Sequence, residues 1–106
     1  MNFVNPSEIE ELISTIDGVK QVCVVGIYDV EFQNLTTAAV IKKETADRLT
    51  EKKIIDHVAK VLPPYKHLHG GVYFVPSFPM TPSGKVIKRK VRDDLIAFKS
   101  QNAEIH

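Results

Sequence analysis

A basic segment that follows a proline-rich turn contains the residues best suited to chemistry in this chain. Pro82 restricts φ and Gly84 tolerates a positive φ, so Lys85 is expected to project from a stiff turn, Thr81–Lys85, which we term the hook. A lysine held in this way is a compact point charge that suits a phosphate or a carboxylate. From these residues alone, a solvated start of the last helix is an equally good interpretation. The cations concerned are Lys85, Lys88, Arg89, Lys90 and Arg92.

Neither of two common nucleotide-binding fingerprints is present in the sequence. Ser83-Gly84-Lys85 matches the end of a P-loop, but Pro79 stands where that motif has its first glycine, and Val86 replaces its Ser or Thr. A glycine-rich Rossmann turn is also missing after the first predicted strand. The hook therefore belongs to neither of these classes.

Other polar candidates have structural interpretations. His67 and His69 lie in a loop without a third ligand at fixed spacing, which favours a surface loop over a metal site. Cys23 lies in an apolar run and is interpreted as a buried, inert thiol in a reducing compartment. The acidic residues at 93–94 are expected to stabilise the last helix or to pair with cations about four positions earlier.

The composition is that of one small globular domain. The chain has 106 residues, of which 43% are hydrophobic and 25% charged, with a formal net charge of +1. This balance gives no general reason to expect nucleic acid or an anionic membrane as a partner. Apolar runs are too short to span a bilayer, and neither a secretory signal nor a Ser-Lys-Leu-type peroxisomal address is found. We therefore predict an intracellular protein without a membrane span.

Three helices are predicted from apolar periodicity and capping residues. The first covers Pro6–Asp17, with Asn5 as the cap, Glu8 at capping-box spacing and Gly18 as the stop. The second begins at the cap Thr50 and ends at the proline pair 63–64. The third covers 88–98 and is followed by a frayed tail after residue 99. The apolar faces are formed by Ile9, Leu12, Ile13 and Ile16, by Ile54, Ile55, Val58 and Leu62, and by Val91, Leu95 and Phe98.

Three strands are predicted between these helices. The strand at 19–27 is apolar on both faces, which suggests a central position in the sheet. The polar stretch 29–34 joins it to a strand at 35–42, so the two form an antiparallel hairpin. A short strand at 72–75 follows a glycine pair. The order predicts an α+β single domain in which an antiparallel or mixed sheet of about three to five short strands is flanked by three helices.

Several tracts resemble one known superfamily. Residues 78–92 resemble the closing motif of the acyl-CoA synthetases and firefly luciferases, which form acyl-adenylates. Residues 4–10 are similar to the Val-x-Pro-x-Glu-Leu/Ile-Glu opening of the same domain, and Pro64-Tyr65-Lys66 with residues 70–75 resembles the tract before the closing motif. The glycine pair is most like that of the insect luciferase-like acyl-CoA synthetases. Because these tracts run in the same order from Val4 to about Phe98, the chain is identified as a member of this superfamily.

The resemblance implies that residues 1–106 are a C-terminal lid over a larger N-terminal domain that is absent from this sequence. Such enzymes activate a carboxylic acid, here a fatty or aryl acid, with Mg-bound ATP and then pass it to coenzyme A. The lid alone is expected to be inactive, and the parent cytoplasmic or peroxisomal. By this resemblance Lys85 is the catalytic cation of adenylation, no residue binds a metal, and the N-terminal domain is the partner. Support for the ATP-facing hook is expected from Thr81, Pro82, Ser83 and Gly84, and phosphate contacts to CoA or AMP from Lys88 and Arg89.

Departures from the family pattern leave alternatives open. Tyr28 replaces the usual proline, and the usual Gly-Glu near Asn34–Leu35 is missing. The hinge and the lysine-glycine stretch of the family would lie upstream of Met1. These departures suggest a divergent member of the superfamily. Two such members remain possible: an inactive relative, and a luciferase-like relative without CoA ligase activity. A different class of protein also remains possible, namely a stand-alone module that binds anions or nucleic acid through residues 85–92. The affinity of such a module for its anionic ligand would fall steeply as the salt concentration rises.

Overall fold

The chain folds as helices interspersed with strands, and the computed structural model describes residues 4–29 and 33–104. The α+β class and the three helices agree with the prediction. Within the described residues, no helix is both long and apolar enough to cross a membrane. The elements are α1 (Pro6–Ser14), β1 (Val19–Asp29), β2 (Gln33–Lys42), α2 (Glu51–Val61), a 3₁₀ turn (Pro64–Lys66), β3 (Gly71–Phe74) and α3 (Lys88–Glu104).

The sheet has the order β1-β2-β3, so β2 and not β1 is its central strand. β1 and β2 are antiparallel, with Val24 opposite Ala38, and β2 and β3 are parallel, with Ala39 opposite Tyr73. The prediction that β1 is central is therefore wrong. β1 is apolar on both faces because each face of the sheet is covered by a core. Val24 packs in the core on one side, and Cys23 packs in the core on the other.

The predicted hairpin is confirmed, but its strands are longer than expected. Their ladder continues to the pair Asp29–Gln33, into the stretch predicted as a turn. The remaining predicted turn positions, 30–32, lie outside the described residues. β3 begins at Gly71, one residue earlier than predicted.

Helix α1 has the predicted cap but ends three residues early. Asn5 Oδ1 accepts a hydrogen bond from the Ser7 amide at 3.0 Å, which confirms the cap. The helix ends at Ser14 because hydroxyl groups compete for its last carbonyls. Ser14 Oγ donates to the Glu11 carbonyl at 2.7 Å and Thr15 Oγ1 to the Leu12 carbonyl at 2.6 Å. Gly18 adopts a φ of +98° in the turn that follows.

Helices α2 and α3 differ in how well their ends were predicted. Thr50 Oγ1 caps α2 by accepting from the Lys53 amide at 3.2 Å, and the helix stops before the proline pair as predicted. The prediction of a frayed tail after residue 99 is wrong, because α3 continues to Glu104. Residues 99–104 contain neither proline nor glycine, so nothing in them terminates a helix. Phe98 remains 49% exposed, with its ring edge-on to that of Tyr73.

Two apolar cores lie on opposite faces of the sheet. The first fills the space between the sheet and helices α1 and α2, where Ile9, Ile13, Ile54 and Val58 are fully buried. The second joins the sheet to α3 and includes Phe78, which precedes the hook. Each helix therefore covers the sheet from a defined side, and the second core fixes the chain on both sides of the hook. The other members of this second core are Cys23, Val25, Ile27, Ala39, Val91 and Leu95.

Candidate functional site

The backbone of the hook closes on itself. Met80 and Val86 form an antiparallel bridge at its base. Inside that bridge the Thr81 amide donates to the Lys85 carbonyl at 2.8 Å, and the Gly84 amide donates to the Thr81 carbonyl at 2.9 Å. The position of the Lys85 backbone is therefore set by hydrogen bonds within the hook.

The predicted support residues act inside the turn. Thr81 Oγ1 accepts from the Lys85 amide at 3.1 Å and shares a hydrogen bond of 2.9 Å with Ser83 Oγ. Gly84 has a φ of +89°, a left-handed conformation that favours glycine. Pro82, between Thr81 and Ser83, restricts φ at the second position of the turn. The four residues thus hold the turn closed, and their side chains do not cover Lys85.

The base of the hook is attached to the second core. The Phe78 side chain is only 8% exposed and packs with Val91 and Leu95 of α3. The Ile87 amide donates to the Pro79 carbonyl at 2.9 Å, which ties the two ends of the loop together. Lys85 itself is exposed. The structure therefore holds the backbone of Lys85 while leaving its ammonium group accessible.

Lys88 and Arg89, the predicted phosphate contacts, have different surroundings. Lys88 Nζ lies 3.1 Å from Glu10 Oε2, and the Lys88 side chain remains 48% exposed. Arg89 is exposed and borders an open cavity of about 260 Å³ whose wall includes Pro6, Gly26 and Arg92. Lys88 lines the same cavity, so the difference between the two cations is that Lys88 is paired with the Glu10 carboxylate.

Glu8 and Glu10 are the site-shaping residues that the sequence interpretation missed. The Glu8 carboxylate binds Lys66 Nζ at 2.8 Å, so it does not act in the predicted capping box. Glu10 Oε2 accepts from the Val24 amide at 2.8 Å in addition to binding Lys88. One signal was present: both glutamates flank Ile9, which is fully buried, so they lie at the rims of the apolar face of α1. Their partners cannot be read from spacing.

The first turn of α3 is electropositive. It contains Lys88, Arg89 and Lys90 at the end of the helix where the macrodipole is already positive. The predicted pairing of the acidic residues with cations four positions earlier is wrong for Asp93, whose Oδ1 lies 4.0 Å from Nε of the adjacent Arg92. Asp93 therefore does not neutralise the first turn, in which Lys88 is paired with Glu10 while Arg89 and Lys90 are exposed and attract anions.

The other candidate functional residues, two histidines and a cysteine, make contacts that stabilise the fold. His67 Nε2 lies 2.7 Å from the Leu62 carbonyl and His69 Nε2 lies 2.9 Å from the Pro64 carbonyl, so both rings bind the backbone. Over the part of the chain that the structure describes, His, Cys, Asp and Glu form no group of three or more suited to a metal ion. Cys23 is 2% exposed, and burial raises the pKa of its thiol, as expected of an inert cysteine.

Comparison with known proteins places these features in one family. The profile of the family described as AMP-binding enzyme C-terminal domain matches residues 8–85. The probable 4-coumarate–CoA ligase 1 of Dictyostelium discoideum is 31% identical over 90 residues, which are 85% of this chain and 16% of that protein. Luciferin 4-monooxygenase of Photinus pyralis is 36% identical over 96 residues, which are 91% of this chain and 17% of that protein.

A solved structure agrees with this assignment. The fatty acyl CoA synthetase of Mycobacterium tuberculosis superposes with a TM-score of 0.80 at 30% identity, over 90% of this chain and 18% of that one. The chain thus spans about a sixth of the length of the curated relatives that it matches. The match of the family profile includes Glu8, Glu10 and the whole hook. The chain belongs to the family of AMP-binding enzyme C-terminal domains.

Proposed function

We propose that residues 1–106 are the C-terminal lid of an AMP-forming acid–thiol ligase. In this proposal a larger N-terminal domain is the partner of the lid and holds ATP, its Mg²⁺ and a fatty or aryl carboxylic acid. The parent enzyme joins the carboxylate to ATP as an acyl-adenylate, and coenzyme A then displaces AMP to form a thioester. The lid alone is expected to be inactive, and the parent enzyme to be cytoplasmic or peroxisomal.

The observation that carries the proposal is the closed hook, which presents Lys85 on a fixed backbone. Internal hydrogen bonds join Thr81 to Lys85 at 2.8 and 3.1 Å, and the Lys85 side chain is exposed. Because the backbone of Lys85 is already fixed, binding a ligand costs side-chain freedom but no further backbone freedom, which favours its use as a positioning group. Membership in the family and the similarity to CoA ligases support this choice of reaction.

Adenylation needs such a cation for an electrostatic reason. A carboxylate oxygen forms a bond to the α-phosphorus of ATP while the bond from that phosphorus to pyrophosphate breaks. Both reactants are anions, and negative charge grows on the departing pyrophosphate. Lys85, which forms no covalent bond, would act as a cation that reduces the repulsion and aligns the reactants. The loss of one such group typically lowers a rate by about 10²–10³-fold.

Lys88 and Arg89 are proposed as contacts to the phosphates of CoA or AMP. Both residues border the same open cavity, and Arg89 is the better suited of the two because its guanidinium can bind a phosphate in a bidentate manner. Lys88 is half exposed but already binds Glu10 at 3.1 Å. A phosphate at Lys88 would therefore share or replace that carboxylate.

The proposal is tested by joining this chain to the large domain of a 4-coumarate–CoA ligase relative in place of its own C-terminal domain. The active fusion is assayed for pyrophosphate release and, separately, for thioester formation from a pre-formed acyl-adenylate. We expect Lys85→Ala to lower the first rate by about 10²–10³-fold and to leave the second unchanged.

The matched control is Lys52→Ala, which removes an exposed lysine from α2. Neither half-reaction should change in this variant. If Lys85→Ala lowered both half-reactions to the same extent, or neither, the role proposed for Lys85 would be wrong.

A further inference from the structure

One carboxylate oxygen joins three elements next to the hook. Glu10 Oε2, on α1, accepts from the backbone amide of Val24 at 2.8 Å and lies 3.1 Å from Nζ of Lys88, the first residue of α3. Val24 belongs to β1, an edge strand among the described strands, and its amide donates to Glu10 on α1. Glu10 thus satisfies an edge amide that would otherwise lack a partner in the sheet.

The connection from Lys88 to Lys85 has little freedom. Only Val86 and Ile87 separate the two lysines. Val86 pairs with Met80 across the base of the hook, and the Ile87 amide is bound to the Pro79 carbonyl at 2.9 Å. A displacement of the start of α3 would therefore move the base of the hook and, with it, the Lys85 side chain.

We propose that Glu10 is a positioning residue for adenylation, which sets the orientation of the hook through its ion pair with Lys88. This inference rests on the proposed role of Lys85. It assigns to the opening tract of the domain an effect on the first half-reaction, although Glu10 lies on α1 and the hook precedes α3. Catalysis that depends on alignment is sensitive to such support, because a displacement of about 1 Å can lower a rate by about 10²-fold.

The thiol of Cys23 provides a separate readout of the pair. Burial raises its pKa, the Lys88 ammonium lowers it and the Glu10 carboxylate raises it further. The thiol is therefore close enough to both charged groups for each of them to change its pKa. Its titration reports whether both charges lie beside the thiol in solution, as the ion pair requires, independently of any activity.

The test uses Glu10→Gln, whose amide oxygen can still accept from the Val24 amide but no longer carries the charge that attracts Lys88. In the 106-residue chain, ¹³C NMR of labelled cysteine should show a lower thiol pKa for Cys23, because an anion has been removed. In the fused enzyme, pyrophosphate release should fall by roughly fivefold to tenfold, while thioester formation from pre-formed adenylate is unchanged.

Partner variants and a control complete the design. Lys88→Met should raise the thiol pKa and lower pyrophosphate release, and adding Glu10→Gln to it should lower that rate no further. Lys88→Arg, which keeps the positive charge, should restore pyrophosphate release. Glu11→Gln removes the neighbouring, exposed carboxylate and should change neither readout.

Three outcomes have separate meanings. A Cys23 titration that is unchanged in both Glu10→Gln and Lys88→Met would show that these charges do not lie together beside the thiol in solution and would overturn the inference. The positioning role alone would be overturned if Glu10→Gln lowered the rates of both half-reactions equally. It would also be overturned if Glu10→Gln lowered neither rate while Lys85→Ala still lowered the rate of adenylation. If Lys85→Ala itself leaves adenylation intact, the proposed function fails first.

Discussion

Lys66 Nζ lies 2.8 and 3.1 Å from the two carboxylate oxygens of Glu8, although the residues are 58 positions apart. The hydrogen bond that Lys66 donates to Glu8 raises the pKa of the Lys66 ammonium group. It fastens the first turn of α1 to the 3₁₀ turn that precedes β3, while Glu10 fastens the same helix to α3. The two glutamates therefore attach the opening tract to the two later tracts of the chain that resemble the superfamily.

The Glu8–Lys66 pair should show energetic coupling. Glu8→Gln and Lys66→Met are each expected to lower the free energy of unfolding, and the double variant should be no less stable than the worse single variant. The coupling should weaken in high salt, because the Debye length falls to about 3 Å at 1 M. Urea unfolding at low and high salt measures it. Strictly additive effects would show that the pair does not form in solution.

Gly84 should be replaceable only at a conformational cost. A Cβ at this position would have no atom within 4 Å, so a substitution causes no steric clash, but its φ of +89° disfavours other residues. We expect Gly84→Ala to lower the free energy of unfolding by about 1 kcal/mol and Gly84→Asn by less, since Asn tolerates the left-handed region. Urea unfolding compares the two. A greater loss for Asn than for Ala would contradict this explanation.

Gly70 should be intolerant for a different reason. A Cβ here would overlap Oγ1 of the fully buried Thr37 and lie 3.1 Å from the Thr36 carbonyl oxygen. Gly70→Ala is expected to cost about 1–3 kcal/mol of stability through overpacking. Thermal unfolding of Gly70→Ala, Thr37→Ala and the double variant should show that the second change relieves part of the first. A double variant that loses the full sum of both would refute the steric cause.

The exposed cation Lys90, in the first turn of α3, should reduce stability. Lys90→Glu places a negative charge near the positive end of the helix dipole and should add about 0.3–1 kcal/mol at low ionic strength. Lys60→Glu makes the same charge change in the last turn of α2, where it should subtract a similar amount. Urea unfolding at low salt tests the opposite signs. If both variants change stability in the same direction, the helix dipole is not the cause.

Stability should decrease at alkaline pH because of Cys23. Burial raises the thiol pKa above its ordinary value of 9.0, so the folded chain keeps the proton that the unfolded chain loses. The stabilising contribution is complete below pH 9.0 and is lost as the pH rises through the folded pKa. In Cys23→Ala the decrease should start higher, near the ordinary value of 10.0 for Tyr73, whose pKa burial also raises. Chemical unfolding at several pH values measures both onsets, and an unchanged onset would exclude Cys23 as the cause.

Local features of the molecule could be predicted because their causes are local. Asn5 and Thr50 cap their helices as expected, since a cap needs only a suitable side chain next to the first turn. The hook could be predicted from proline and glycine chemistry for the same reason. The early end of α1 was missed because Ser14 and Thr15 bind carbonyls within their own turn, a competition that apolar periodicity does not report.

The sequence by itself determined the α+β class, the positions of the helices and strands, and the turn that presents Lys85. Only the tertiary structure decided that β2 is the central strand, and that Glu8 and Glu10 bind Lys66 and Lys88. The physical reason is range. Residue periodicity reports which faces are buried, whatever covers them, whereas strand order and ion pairing depend on which distant segments meet.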